Sequence, residues 1–389
     1  MFLPLSGIRV LDITSIIYGP YTTQILGDLG ADVIKIEPPE GDATRNLGPS
    51  RSPGMGAVFL GSNRNKRSLS IDLKKPAAKE ALWRLVDGAD VLVHNMRPRK
   101  MQALGFDPDA VMARNPKIVY GGLHGYREDG PYGDRPAYDD VIQGESGFAN
   151  AFTVRDGAPM LTPSIVADKS AALLAATGLV AAVVQRLRTG KGVYVEVAMF
   201  ESMVGYTLLE HQYGATFRPP EGPAGYARAL SKQRKPHATS DGYICMLPYT
   251  NKQWQRFWEM IGTPERSLEP RFESIARRAL NIDDLYAIAG AEIGKRSTAE
   301  WLEALRAAEI PCGPVNSFAD LETDPQLVAT GFFRPFQHPS EGAIEVPDAA
   351  FRFDRQSLPI RHHQPKLGEQ SREVLREAGL SETEIDAVL

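Results

Sequence analysis

Cysteine is scarce: Cys245 and Cys312 are the only two in 389 residues. Two thiols cannot form a disulfide framework or a four-ligand zinc site, so both are read as reduced. Basic charge is not in excess either. The balance of 44 Lys+Arg against 48 Asp+Glu leaves a net charge of −4 and a pI of about 6.0, which offers no broad field for nucleic acid. No run of about 18 uninterrupted apolar residues occurs, so no membrane partner is expected; the nearest run, 171–184, is followed by Gln185 and Arg186. The segment Met1–Gly7 lacks the charged and long apolar regions of a signal peptide, and a cytoplasmic location is expected. The glycine-rich dinucleotide and phosphate-loop motifs are missing, as are the H-E-x-x-H metal motif and any other ligand cluster. Gly144-Glu-Ser146-Gly147 lacks the second spaced glycine of a nucleophile elbow. Nicotinamide chemistry, phosphate-loop nucleotide hydrolysis, serine hydrolysis and a metal site are therefore set aside.

What is present is a repeating strand–helix pattern. Residues 8–13 read as a buried strand, Gly19-Pro20 opens a helix that Gly30 closes, and 32–37 reads as a second strand. That is a βαβ unit and implies a parallel sheet. Strands are expected again at 68–72, 90–94, 117–121 and 193–197, with helices at 76–87, 99–104, 107–114 and 168–188. Proline and glycine accumulate between 211 and 240, which breaks the pattern. The expected fold is α/β: a Rossmann-like parallel-sheet large domain over 1–210, a linker at 211–240, a smaller α+β domain over 241–325, and a return to the large domain over 326–389. In the small domain, 242–247 reads as a strand, and helices follow at 251–261, 281–293, 298–308 and 318–329.

Asp168 precedes the small-residue run Ala171–Val184, which reads as a buried helix. A carboxylate at its opening would be held by backbone N–H groups and the helix dipole, as an N-cap is. The same geometry suits a carboxylate nucleophile. Two basic stretches, 63–68 with Arg67 and 97–100 with Arg97, Arg99 and Lys100, adjoin expected strand ends, where parallel sheets bind ligands. Their cations can hold phosphates by charge-assisted bonds.

Five ordered blocks, taken together, resemble the class III CoA-transferases. They are Leu5–Asp12 with Gly19-Pro20 and Leu29–Pro38; Asn65–Ser68 with Asp72–Lys74; Asp90–Pro98 with Leu104-Gly105; Gly130–Tyr132 with Pro136–Asp139 and Gln143; and Val195–Glu201. The resemblance implies CoA transfer from an acyl thioester to a free carboxylic acid through an aspartyl-acyl anhydride on Asp168. Coenzyme A enters as substrate, and no metal is implied. It also implies that Ser15, Ile16, Ile17 and Tyr18 meet the pantetheine arm, that Asn95 and Met96 lie beside the adenine and phosphates, and that Tyr138 stands with Asp168 at the thiol end. Gly144 and Gly147 are candidate oxyanion donors. An interlocked homodimer is implied by the resemblance alone. Two other readings are an α-methylacyl-CoA racemase and a CoA-binding protein without chemistry. The racemases carry a histidine where Tyr138 stands, and tyrosine, with a pKa of about 10, is a poor base for an α-proton.

Overall fold

The computed structural model describes residues 3–389. Runs rich in Val, Ile and Leu form six strands: β1 (Arg9–Ile13), β2 (Asp32–Glu37), β3 (Lys66–Ser70), β4 (Val91–His94), β5 (Val119–His124) and β6 (Val193–Ala198). All neighbours pair in parallel, in the spatial order β3-β2-β1-β4-β5-β6. This is the doubly wound order. Strand order reverses between β1 and β4, so the loops leaving those strands diverge and open a crevice at the carboxyl end.

The helices up to the end of this sheet are α1 (Tyr18–Asp28), α2 (Ala57–Ser62), α3 (Pro76–Asp87), α4 (Pro98–Leu104), α5 (Pro108–Arg114), α6 (Asp139–Glu145), α7 (Phe148–Asp156), α8 (Val166–Thr189) and α9 (Met199–His211). Proline opens α3, α4 and α5, where its missing N–H costs nothing and its fixed φ suits a helix start. One core cluster packs Leu11, Ile34, Leu92 and Tyr120 of the sheet with Leu82 and Leu85 of α3 and Val374 and Leu375 of the helix Ser371–Glu377. α8 buries Ala171, Ala172, Ala175, Ala176 and Leu179 and packs on α1. Thr22 of α1 reaches the Ala172 carbonyl at 3.3 Å, a contact that only small side chains permit. By length and composition α8 could cross a membrane, yet its alanine face is committed to this packing. Its Leu173, Leu174, Val184 and Leu187 are exposed.

The chain divides into two compact units. The first holds the chain up to Ser146, Leu161–Tyr206 and Gly331–Leu389; the second holds Gly147–Met160 and Thr207–Thr330. The second unit has a three-stranded antiparallel sheet of β7 (His237–Ala238), β8 (Tyr243–Met246) and β9 (Cys312–Pro314). Its core is aromatic, built on Trp254, Phe257, Trp258, Phe272 and Trp301.

Several details differ from the sequence expectation. The stretch 211–240 belongs to the second unit, and so does 147–160. β3 begins two residues earlier than expected because Lys66 and Arg67 are buried strand residues. The expected helix at 318–329 is two short helices, Asp320–Thr323 and Pro325–Thr330, since Pro325 drives Asp324 out of helical geometry. An antiparallel hairpin, β10 (Phe333–His338) with β11 (Gly342–Pro347), was not anticipated.

Candidate active site

The crevice at the carboxyl end of the sheet contains a cavity of about 330 Å³. Ser15, Ile16 and Tyr18 reach it from the β1–α1 turn, Asn95 to Pro98 and Lys100 from the β4–α4 connection, and Leu123 to Gly125 from β5. Arg135 to Tyr138, Asp168 and Met199 complete the wall. Two close approaches shape it. A Cβ on Gly19 would fall 2.2 Å from the Thr14 Cβ, and one on Gly125 would fall 2.3 Å from that of Ala137, so only glycine fits at either position.

The β1–α1 turn is tied down tightly. Ser15 N donates to Asn95 Oδ1 at 3.0 Å while Asn95 Nδ2 donates to the Ser15 carbonyl at 2.8 Å. Asn95 therefore fixes the wall and spends its amide on Ser15. Ile16 has φ +70°, a left-handed conformation that is costly for a β-branched residue. Its N–H donates to both carboxylate oxygens of Asp42 at 3.2 Å, and Lys35 Nζ, fully buried, bonds Asp42 Oδ2 and the Thr14 carbonyl at 3.0 Å each. This network holds the strained turn against relaxation.

Asp168 sits in the first turn of α8 and is only 7% exposed. It does not cap the helix, contrary to expectation. The capping carboxylate is Asp139, whose Oδ1 accepts from Ala167 N at 2.7 Å and Asp168 N at 3.1 Å. Asp139 Oδ2 accepts from Gln143 Nε2, and Gln143 in turn binds the Ser164 carbonyl and Thr162 N. With its helix-capping work done by a neighbour, the Asp168 carboxylate makes no hydrogen bond among the described residues and faces the cavity. Burial, followed by the nearby charge of Asp139, pushes its pKa up from 3.8 to about 7. Tyr18 cannot relieve it, because its hydroxyl donates to the Val197 carbonyl at 2.9 Å.

The remaining candidates separate by position. Arg97 lines the cavity and donates to the Asp134 carbonyl at 3.2 Å. Lys100 lines it and makes no ion pair among the described residues. Met96 and the exposed Tyr138 line it too. Ile17 is the residue before α1 and lies outside the wall. Arg99 is turned to an adjoining cleft and paired with Asp134 at 2.5 Å. Arg67 is a clear correction: it stands near the amino end of the sheet, bonded to Asp32, Glu373 and Glu377 at 2.8 to 3.0 Å. Gly144 lies inside α6 and Gly147 precedes α7; neither lines the cavity.

Arg135, Asp139, His124 and Met199 were missed as site residues. The first two fall within or beside the block Pro136–Asp139, but no spacing rule distinguishes their roles. Arg135 stacks on the Tyr132 ring at 3.7 Å and has no acidic partner among the described residues. His124 Nδ1 pairs with Glu196 Oε1 at 3.1 Å, and Glu128 N donates to the same oxygen at 2.7 Å. His124, Glu128 and Glu196 are the one group among the described residues whose possible metal-ligand atoms lie within 4.8 Å of one another. Hydrogen bonds within the group already account for its closeness.

A family model described as CoA-transferase family III matches residues 5–371. The chain is 31% identical over 378 residues to a succinyl-CoA:glutarate CoA-transferase of Mus musculus, covering 96% of this chain and 86% of the relative. It is 30% identical over 412 residues to a formyl-CoA:oxalate CoA-transferase of Rhodopseudomonas palustris, covering 99% and 95%. The crystal structure of a CAIB/BAIF family protein from Brucella suis superposes with a TM-score of 0.82 at 30% identity, over 97% of this chain and all of the other.

Proposed function

Because the chain belongs to CoA-transferase family III, we propose that it moves CoA from an acyl-CoA to a free carboxylic acid through a covalent anhydride on Asp168. An Asp168 oxygen attacks the thioester carbonyl carbon, the carbon–sulfur bond breaks, and CoA leaves as thiolate. The acceptor carboxylate then attacks the aspartyl carbonyl and releases the donor acid. Thiolate finally attacks the new acyl carbon, forming the product thioester and returning the aspartate carboxylate. No net proton is consumed, and the anhydride preserves the activation of the thioester. The observation that carries this reading is the Asp168 carboxylate, buried in the crevice without a hydrogen bond. Lys100, Arg97 and Arg135 supply positive charge on the same wall for the CoA phosphates.

An α-proton shuttle is less well supported. His124 is the only imidazole on the cavity wall; its Nδ1 is tied to Glu196 and its Nε2 is buried without a partner. The exposed apolar stripe of Leu173, Leu174, Val184 and Leu187 supports the proposal of a homodimer in which this face is covered. Turnover with an acceptor acid labelled in its carboxylate with heavy oxygen tests the chemistry. The anhydride route deposits label in the peptide that contains Asp168, whereas direct transfer between bound substrates leaves that peptide unlabelled.

A further inference from the structure

The second unit contains a cavity of about 290 Å³ that this mechanism does not use. Arg228, Arg234 and Lys235 converge on it, and none of its lining residues is acidic. Two of those cations are presented by a turn that is locked from within. Ser231 Oγ donates to Asp283 and accepts from Gln233 N at 3.1 Å, and the Ser231 carbonyl accepts from Arg234 N at 3.1 Å. Nearby acids are already engaged. Asp283 is held by Ser231, and Asp284 pairs with Arg271 at 3.0 Å. Arg234 and Lys235 make no ion pair among the described residues, and Arg228 bonds tyrosine hydroxyls rather than acids: its Nε donates to Tyr286 at 3.0 Å, and Tyr226 lies within reach of it as well. Burial and the neighbouring Lys235 hold the His237 imidazole below its ordinary pKa, so it adds little charge of its own. Met246 and Leu247 supply an apolar wall.

We propose that this cavity binds the carboxylate of a small organic acid, as an anion site distinct from the pocket that holds Asp168. Three like charges around one cavity repel each other unless a counter-ion enters. An arginine fork matches a planar carboxylate, and a short hydrocarbon stem suits the apolar wall. The volume is at the small end for ligand sites, roughly 300–1,000 Å³, which favours a short acid over a nucleotide. The site does not depend on the identity of the nucleophile.

Calorimetric titration of the full-length protein, free of CoA, with glutarate and separately with inorganic phosphate tests the proposal. Glutarate should bind saturably and equally to wild type, Asp168→Asn and Lys100→Ala. It should bind at least tenfold more weakly to an Arg234→Gln/Lys235→Gln variant whose circular dichroism is unchanged. If that double variant does not fold, Lys235→Gln alone should weaken binding at least threefold. Absence of saturable binding, binding indifferent to these substitutions, loss on Lys100→Ala, or phosphate binding tighter than glutarate would each overturn it.

Discussion

The two ends of the parallel sheet treat charge in opposite ways. Near its amino end, Arg67 and Arg9 share Asp32 and Glu377, and Arg67 also takes Glu373, all at 2.8 to 3.1 Å, so each guanidinium meets carboxylates. At the carboxyl end, the Asp168 carboxylate is buried without a hydrogen bond, and Lys100 and Arg135 have no acidic partner, among the described residues. Paired charges hold the helix Ser371–Glu377 to the strands. Unpaired ones carry an electrostatic cost that a bound anion or a covalent step can relieve. Charge at the first end is neutralised within the fold, and at the second it stays available for the proposed chemistry.

The sharpest way to break that contrast is to remove one charge at each end. Asp168→Ala should leave a folded protein and lower the turnover number by at least about 10⁴, a scale typical for removing a nucleophile. A steady-state assay with circular dichroism checks this, and substantial activity in the folded variant would sink the assignment. At the other end, Arg67→Ala should cost about 2 kcal/mol of stability, because it leaves acids facing one another, with the turnover number unchanged. Denaturant titration together with the same assay reads both; a tenfold fall in turnover would place Arg67 in the catalytic machinery after all.

A gentler change tests whether Asp168 is strained by its own charge. Its pKa rises from 3.8 to about 7, so the folded state holds this proton more tightly than the unfolded state does. The stabilisation from protonated Asp168 is complete below the unfolded value and is lost as pH rises through about 7. Asp168→Asn should therefore be more stable than wild type at pH 8, on the order of 2 kcal/mol, with the difference shrinking towards pH 5. Melting curves at the two pH values decide it, and equal melting of both proteins throughout would remove the electrostatic argument. Activity should run the other way, with kcat/KM falling below pH 7 as the proposed nucleophile protonates.

The smallest expected effect concerns Asp139, which caps α8 and pushes the Asp168 pKa up. Asp139→Asn should move the acidic limb of kcat/KM to lower pH and cost about 1 kcal/mol of stability for the weakened cap. A pH–rate profile of that variant would detect it. An unmoved limb would leave burial as the only cause.

Much of the fold follows from patterns local in sequence. Apolar runs bounded by Gly30, Pro76 and Pro98 mark strands and helices within a residue or two, because side-chain periodicity and backbone restriction act over a single turn. The run of alanines after Asp168 foretells a close-packed helix for the same reason. The carboxylate was visible before the long helix, the cations of 97–100 beside a strand end, and the turn after β1 through the family resemblance. Their convergence was not, since it depends on the order β3-β2-β1-β4-β5-β6, a non-local property of the chain.

Charge in the interior is where local reading failed. Lys66 and Arg67 read as a basic stretch beside a strand end, available to phosphates, yet Lys66 is fully buried on Asp12 at 3.0 Å and Arg67 is bonded to acids 35 and 306 to 310 residues away in the chain. Asp139 could not be told from its neighbour Asp140 until α6 brought it to the first turn of α8. Sequence by itself determined which segments fold as strands and helices and that Asp168 stands at the start of the long helix. Tertiary structure decided which charges are neutralised and which stay available, because a partner distant in the chain costs nothing to overlook in a sequence but a great deal to leave unpaired in a low-dielectric interior.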